Sequence, residues 1–397
     1  MIQPPKAASR LPIPRTVWAL GLVSLLLDLS SEMIHSILPI FLTTTLGASA
    51  AMVGLIDGIA EATAAICKVP SGYISEYIGR RKPLILFGYG LAALSKPLFA
   101  LAAGPIPVLA ARFADRVGKG VRGAARDALV ADVTPLELRG RAYGLRQALD
   151  TVGALVGPLI AFALMLAYAN DFRLVFWVAV IPALASVAMV LVGVGDSRST
   201  KAAETPVKLA ELRALDAGFW TVAGIALMFS LARFSEAFLI LKAVEAGLPI
   251  AWSPLVLAGM SLVYSAGAYP AGALADRHPA STLLGLGLVV LIAADLLLGL
   301  GHSFAAIAAG IGLWGAHMAL TQGLFAKLVA NSVPGRLRGS AFGLFNLFSG
   351  LAALAASVIA GLLWDRYGSG ATFVAGAGFA ALTLVGLGLV RGQLKPG

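Results

Sequence analysis

The feature that most constrains this chain is the recurrence of long apolar runs. A helix that crosses a bilayer needs about 20 consecutive, mostly apolar residues. Scanned at that length, the sequence offers twelve candidates, near 16–42, 51–74, 83–103, 105–127, 140–168, 172–194, 217–242, 252–275, 280–301, 303–329, 338–363 and 369–390. Hydrophobic residues make up 59% of the chain and charged residues only 13%. Soluble proteins carry roughly 25% charged residues, so too little charge is left here to cover a soluble surface. The predicted class is an all-α integral membrane protein with twelve transmembrane helices. Basic residues precede the first run, as in a signal peptide, but no small-residue cleavage site follows and the run outlasts a signal-peptide core. A retained first helix is expected. The lone Cys67, inside an apolar segment, leaves no disulfide framework and no cysteine metal site.

Lysine and arginine sort by loop. One set holds Arg10 and Arg15, Arg80 to Lys82, Arg139 and Arg141, Lys201 and Lys208, and Arg336 and Arg338, whereas 43–50 and 102–107 hold none. The positive-inside rule then predicts cytoplasmic termini. The longest polar segment, 195–216, falls mid-chain and reads as a cytoplasmic loop between two six-helix bundles, 1–194 and 217–397. The halves repeat. Laying "TPLELRGRAYGL" from Thr134 on "VPGRLRGSAFGL" from Val333 matches Pro135, Leu138, Arg139, Gly140 and Gly144 with Pro334, Leu337, Arg338, Gly339 and Gly343. Such a parallel repeat is expected of one large transporter class.

The basic stretch "ARFADRVGKGVRGAARDA" (111–128) would suggest nucleic-acid binding in a soluble protein. The repeat excludes that. The segment at the equivalent place in the second half, 303–329, is a plain apolar span, so the basic stretch is a span too, the fourth.

The stretch "GYISEYIGRRK" (72–82) resembles the loop signature of the major facilitator superfamily, with "GALADRH" (272–278) at the corresponding place in the second half. "GALVGPLIA" (153–161), containing Gly157 and Pro158, resembles the fifth-helix motif of antiporters in that superfamily. Glu76 stands where the family usually has Asp, and Ala161 where the fifth-helix motif often has Gly. The resemblance implies a rocker-switch transporter, multi-pass in a bacterial inner membrane and monomeric. Helices 1, 4, 7 and 10 would line a central cavity. Gly72 and Gly79 would permit a tight loop, and Glu76 would sit near a cytoplasmic helix start. Arg80, Arg81, Arg139 and Arg338 would make contacts between the halves that hold the cytoplasmic side shut, or else serve topology alone.

Charges within the spans narrow the function. Arg112, Arg116 and Lys119 facing lipid would cost roughly 8–10 kcal/mol. With Asp115 and Arg126 they fall on one helical stripe, Arg122 lying just off its edge, which must face protein or a wet cavity. Acids stand ready on the first two spans: Asp28, Glu32 and His35 on one face, Asp57 and Glu61 on another. Counting about 1.5 Å of rise per residue predicts two charge layers, Glu32/Asp57/Arg112 and Asp28/Glu61/Arg116, with Lys119 deeper. These charges could simply neutralise one another. One of Asp28, Glu32, Asp57 and Glu61 could carry a proton, the first two being favoured. Arg116 and Lys119 could bind a substrate anion, arginine presenting a fork suited to carboxylate or phosphate. In the second half, Glu236 is expected opposite Glu32; His317 is expected as a substrate contact or else a satisfied hydrogen-bonder, and Trp314 as a flat substrate contact or else packing. Asp295 and Lys96 are expected to snorkel or pair inward without a function, and Arg146 to pair with Asp150.

No nucleotide-binding Gly-rich loop and no nucleophile–base set are present, so neither ATP chemistry nor an enzyme is expected. The reading is a cofactor-free, proton-coupled transporter of a small organic anion or zwitterion, working by efflux antiport. Proton-coupled uptake of an organic anion is the alternative. A divalent-metal transporter using Asp28, Glu32 and His35 is a third possibility, opposed by Arg112 and Arg116 at the same depth.

Overall fold

The computed structural model describes residues 12–195, 215, 217–322, 324–333 and 338–390. Eleven of its helices are long and apolar enough to cross a membrane. The spans are α1 (Arg15–His35, continued by Leu38–Ile40 and Phe41–Thr45), α2 (Ala50–Ile78), α3 (Lys82–Leu101), α4 (Pro105–Val133), α5 (Arg139–Ala167) and α6 (Phe172–Gly193). In the second half they are α7 (Ala217–Ala232, resuming as Ala237–Glu245), α8 (Pro254–Arg277), α9 (Ala280–Leu300), α10 (Phe304–Thr321, then Leu324–Asn331), α11 (Arg338–Tyr367) and α12 (Ser369–Val390). The span that fails the apolarity test is α4, which its own charges disqualify.

Local sequence explains where the helices begin and end. Ser49, Asp171 and Ser303 accept hydrogen bonds from Met52, Leu174 and Ala306 N–H, capping α2, α6 and α10. Pro105 opens α4 directly after Gly104, a position where the missing N–H costs nothing. Gly79 ends α2 at φ +66°, a left-handed conformation suited to glycine. Gly72, expected in the same loop, lies inside α2 instead.

Packing repeats after six helices. Contacts of α1 with α5 and α6, of α3 with α4 and α6, and of α2 with α4 reappear as α7 with α11 and α12, α9 with α10 and α12, and α8 with α10. Two extensive contacts join the sets, α2 with α11 and α5 with α8. The predicted linker 195–216 lies outside the described residues except Gly195 and Leu215.

The α2–α11 seam is closed by small residues. A side chain at Gly54 would strike the Ser357 carbonyl, and one at Gly58 would meet the Leu354 backbone at 3.0 Å. At the end of this seam the Asp365 carboxylate accepts hydrogen bonds from both Ala50 and Ala51 N–H, each 2.9 Å. It thereby caps α2 from the other half. At the same end the α1 continuation packs against Ala237–Glu245 in a core that includes Ile40, Phe41, Phe238 and Leu241. This end of the bundle is shut. The other end carries the basic loops.

Candidate functional site

The charges predicted to lie inside the membrane meet in the first half. Arg112 Nη2 is 3.2 Å from Asp57 Oδ1, and Arg116 Nη1 is 3.4 Å from Glu61 Oε1 one turn below. Both pairs match the predicted layers. Glu32 joins the upper layer through His35, whose ring nitrogens lie 3.4 Å from Glu32 and 3.7 Å from Asp57. Asp28 does not reach Arg116; it lies within electrostatic reach of Lys119, Arg122, Arg126 and Asp150.

The α4 stripe divides between two faces. Asp115 turns toward α3, where Lys96 Nζ binds it at 2.9 Å and also bonds Ser31 at 2.9 Å. The pairing expected of Lys96 thus locks α3 to α4 and α1. Arg122 is buried with its guanidinium over the Tyr89 ring, 4.9 Å from the centroid, a cation–π contact. Arg126 bonds Ser24 and Asp127. Arg146 pairs with Asp150 at 2.5 Å, as expected.

Exposure is graded along the bundle. The side chains are 52% accessible at Glu61, 27% at Glu32, 14% at His35 and 6% at Asp57. Lys119, midway along α4, is exposed. It makes no ion pair within 4 Å among the described residues, although Glu61, Asp28 and Glu32 are within electrostatic reach. Charged side chains that are this open at mid-span, on helices that pack against one another, face a water-filled cavity. Accessibility falls from Glu61 to Asp57, toward the end capped by Asp365.

The floor of the cavity spans both halves. The second half contributes the interruption of α7 at Arg233–Glu236, a break the sequence pattern did not reveal. Ser235 Oγ donates to Asp57 Oδ2 at 2.7 Å, and Ser235 N–H donates to Ser357 Oγ on α11 at 3.2 Å. Arg233 and Glu236, 3.8 Å apart, are partly exposed beside it. Glu236 lies within electrostatic reach of His35, Glu32 and Glu61, as the echo of "Ser-Glu" in the two halves predicted. Gly157 of the α5 motif packs on the first half of this floor. A side chain there would sit 2.6 Å from the Leu29 carbonyl and 3.0 Å from Glu32 Cβ, so glycine permits the approach of α5 to α1. Pro158 is buried next to it.

Several predicted roles need correction. His317 and Trp314 do not line the cavity: both are fully buried. His317 Nδ1 bonds the Gly287 carbonyl at 2.8 Å, and Trp314 packs on Phe234. Arg112 and Arg116 are buried and already paired, whereas Lys119, on the same stripe, has no ion-pair partner within 4 Å among the described residues. Arg81 and Arg139 do not bridge the halves. Arg81 binds Asp132 at 3.2 Å and Ser75 at 2.7 Å; Arg139 donates to the Thr134 and Ala131 carbonyls. These groups find partners within their own half. Arg80 is exposed. The side chains of Glu76 and Arg338 lie outside the described residues. Among the described residues no group of three His, Cys, Asp or Glu is placed to hold a metal ion.

Comparison with known proteins agrees with this architecture. The profile of the Major Facilitator Superfamily matches residues 20–255 and 243–396. An uncharacterized MFS-type transporter of Methanocaldococcus jannaschii is 30% identical over 360 residues, 89% of each chain. The inner membrane transport protein YajR of Escherichia coli is 26% identical over 389 residues, 93% of this chain and 82% of its own. Among solved structures, a POT family transporter crystallised with 5-aminolevulinic acid superposes with a TM-score of 0.81 at 13% identity, covering 96% of this chain and 97% of its own.

Proposed function

The chain belongs to the major facilitator superfamily, and from that premise we propose that it exports a small organic anion or zwitterion in exchange for protons. It is a membrane transport protein, not an enzyme. The observation that carries the substrate class is the exposed, unpaired Lys119 at mid-membrane, with the half-exposed Glu61 nearby. A cation held in a cavity without a fixed partner is an anion site. Arg233 and Glu236 offer a second pair of opposite charges from α7, which suits a zwitterion spanning the two halves. The proton is assigned to Glu32, which is partly exposed and bonded through His35 to the Asp57 floor. Protonating Glu32 would loosen that floor and let the halves rock. The Gly157–Pro158 motif behind Glu32 favours antiport over uptake. The basic loops put the open end, and both termini, on the cytoplasmic face.

Purified protein in liposomes, with a pH gradient imposed and a panel of organic anions, zwitterions and cations, tests the proposal. Gradient-driven flux of an anion or zwitterion is expected, weakened in affinity by Lys119→Gln and uncoupled from the gradient by Glu32→Gln. Unchanged affinity in Lys119→Gln would remove the anion site, and gradient-driven flux in Glu32→Gln would move the proton elsewhere.

A further inference from the structure

The second half holds a buried acid that none of the foregoing uses. Asp295 on α9 is fully buried, and neither of its carboxyl oxygens has a hydrogen-bond partner among the described residues. At the spacing that lays Pro135 on Pro334, Lys96 falls on Asp295 and Asp115 on Trp314. In the first half these positions form the Lys96–Asp115 ion pair. In the second half the acid remains and the opposite charge is absent. The indole Nε1 of Trp314 is itself buried without a partner among the described residues.

Among the described residues no Lys, Arg or His forms an ion pair with Asp295; Gly376 of α12 and Phe234 of α7 lie beside its carboxyl, and Trp314 of α10 packs on that Phe234 ring. The nearest histidine on α10, His317, is bound to Gly287, about two turns along α9 from Asp295. A side-chain carbon at Gly376 would lie 2.8 Å from Asp295 Oδ2 and 2.9 Å from the edge of the Phe234 ring, so carboxyl and ring share one small pocket. An unpaired carboxylate in such a place costs several kcal/mol, and the uncharged acid is the form the pocket accepts. Phe234 belongs to the interrupted segment of α7. Its neighbours Arg233, partly exposed, and Ser235, bonded to Asp57, stand at the cavity floor.

We propose that Asp295 is a second proton-binding site, sealed from the cavity by the Phe234 ring. When the α7 break moves with the rocking of the halves, the ring leaves the carboxyl, water reaches it, and the O–H proton passes to that water. The hydrated carboxylate is reprotonated before the ring returns. The proposal rests on the reading of the protein as a proton-coupled transporter, but its test does not.

Dicyclohexylcarbodiimide, an apolar reagent, adds a protonated carboxylic acid across one C=N bond. The acid's oxygen bonds the central carbon and its proton goes to nitrogen. The full-length protein in liposomes is treated with it across a range of pH, and the modified residues are located by peptide mass spectrometry. Modification at Asp295 is expected, falling as the pH is raised and absent in Asp295→Asn. Phe234→Ala is expected to speed it several-fold, and Phe234→Leu to keep the wild-type rate. Absence of modification at Asp295 at every pH would overturn the site. An unchanged rate in Phe234→Ala would overturn the seal. Modification at Asp295 in a protein that shows no gradient-driven solute flux would sink the coupled-transport reading and leave the proton site standing.

Discussion

Replacing Arg112 by methionine should damage this protein far more than neutralising Glu61, although both residues belong to the same kind of ion pair one helical turn apart. Arg112 is 2% accessible and its partner Asp57 6%, with 3.2 Å between the charged atoms. Removing one partner of a buried pair strands the other charge and costs about 3–5 kcal/mol. His35 and Ser235 remain on Asp57 but leave Oδ1 unanswered. The Arg116–Glu61 pair has a similar separation, 3.4 Å, yet Glu61 is 52% accessible. The buried Arg116 left behind keeps the Asp115 carboxylate 3.8 Å away, and the half-exposed position of Glu61 stays hydrated, so the expected cost is about 0–1 kcal/mol. At about 1.4 kcal/mol per tenfold, the two variants should differ in their folded-to-unfolded ratio by at least an order of magnitude. The assay is thermal: each purified variant is heated in detergent, and the fraction that stays monodisperse on size exclusion gives a midpoint. Arg112→Met should melt well below wild type and Glu61→Gln close to it. The double variant Arg112→Met/Asp57→Leu should recover part of the loss, because the stranded anion is gone. Equal midpoints for Arg112→Met and Glu61→Gln, or a double variant no better than Arg112→Met, would refute the graded-water picture.

Two further outcomes follow from the seam between the halves. Asp365→Asn removes the carboxylate that accepts two N–H bonds from the start of α2, and hydrogen bonds to a charged acceptor contribute about 1.5–3 kcal/mol each. The shut end should open more often, read as faster labelling of a cysteine placed near Ala51. Gly54→Leu puts a side chain into the Ser357 carbonyl. It should keep the shut end from sealing and abolish gradient-driven flux while the protein still reaches the membrane.

Much of the fold was legible because bilayer thickness imposes its own ruler on the sequence: each apolar run of about 20 residues had to be a span. The exception was α4, a candidate by length whose charges argue against a span; the internal repeat is what identified its basic stretch as one. The layering of Asp57 with Arg112 and of Glu61 with Arg116 could be counted out from helix rise and direction. Rotation about the helix axis was harder to read. Asp115 shares the α4 stripe with Arg116 yet serves Lys96 on α3, and His317 sits on a helix expected to line the cavity yet points into its packed side. The break in α7 was also hidden, since Phe234-Ser235 carries no glycine or proline to mark it. It is held open by tertiary bonds from Ser235 to Asp57 and Ser357, which no local pattern encodes.

The central claim, a water-filled cavity reaching Lys119 from the basic end, is most directly tested by cysteine accessibility. In a Cys67→Ser background, Lys119→Cys and Arg112→Cys are exposed to a charged, membrane-impermeant thiol reagent in vesicles sealed in each orientation. Rapid labelling of Lys119→Cys is expected from the face that carries the basic loops, with slow or no labelling of Arg112→Cys from that face. Failure of Lys119→Cys to react from either face would contradict it.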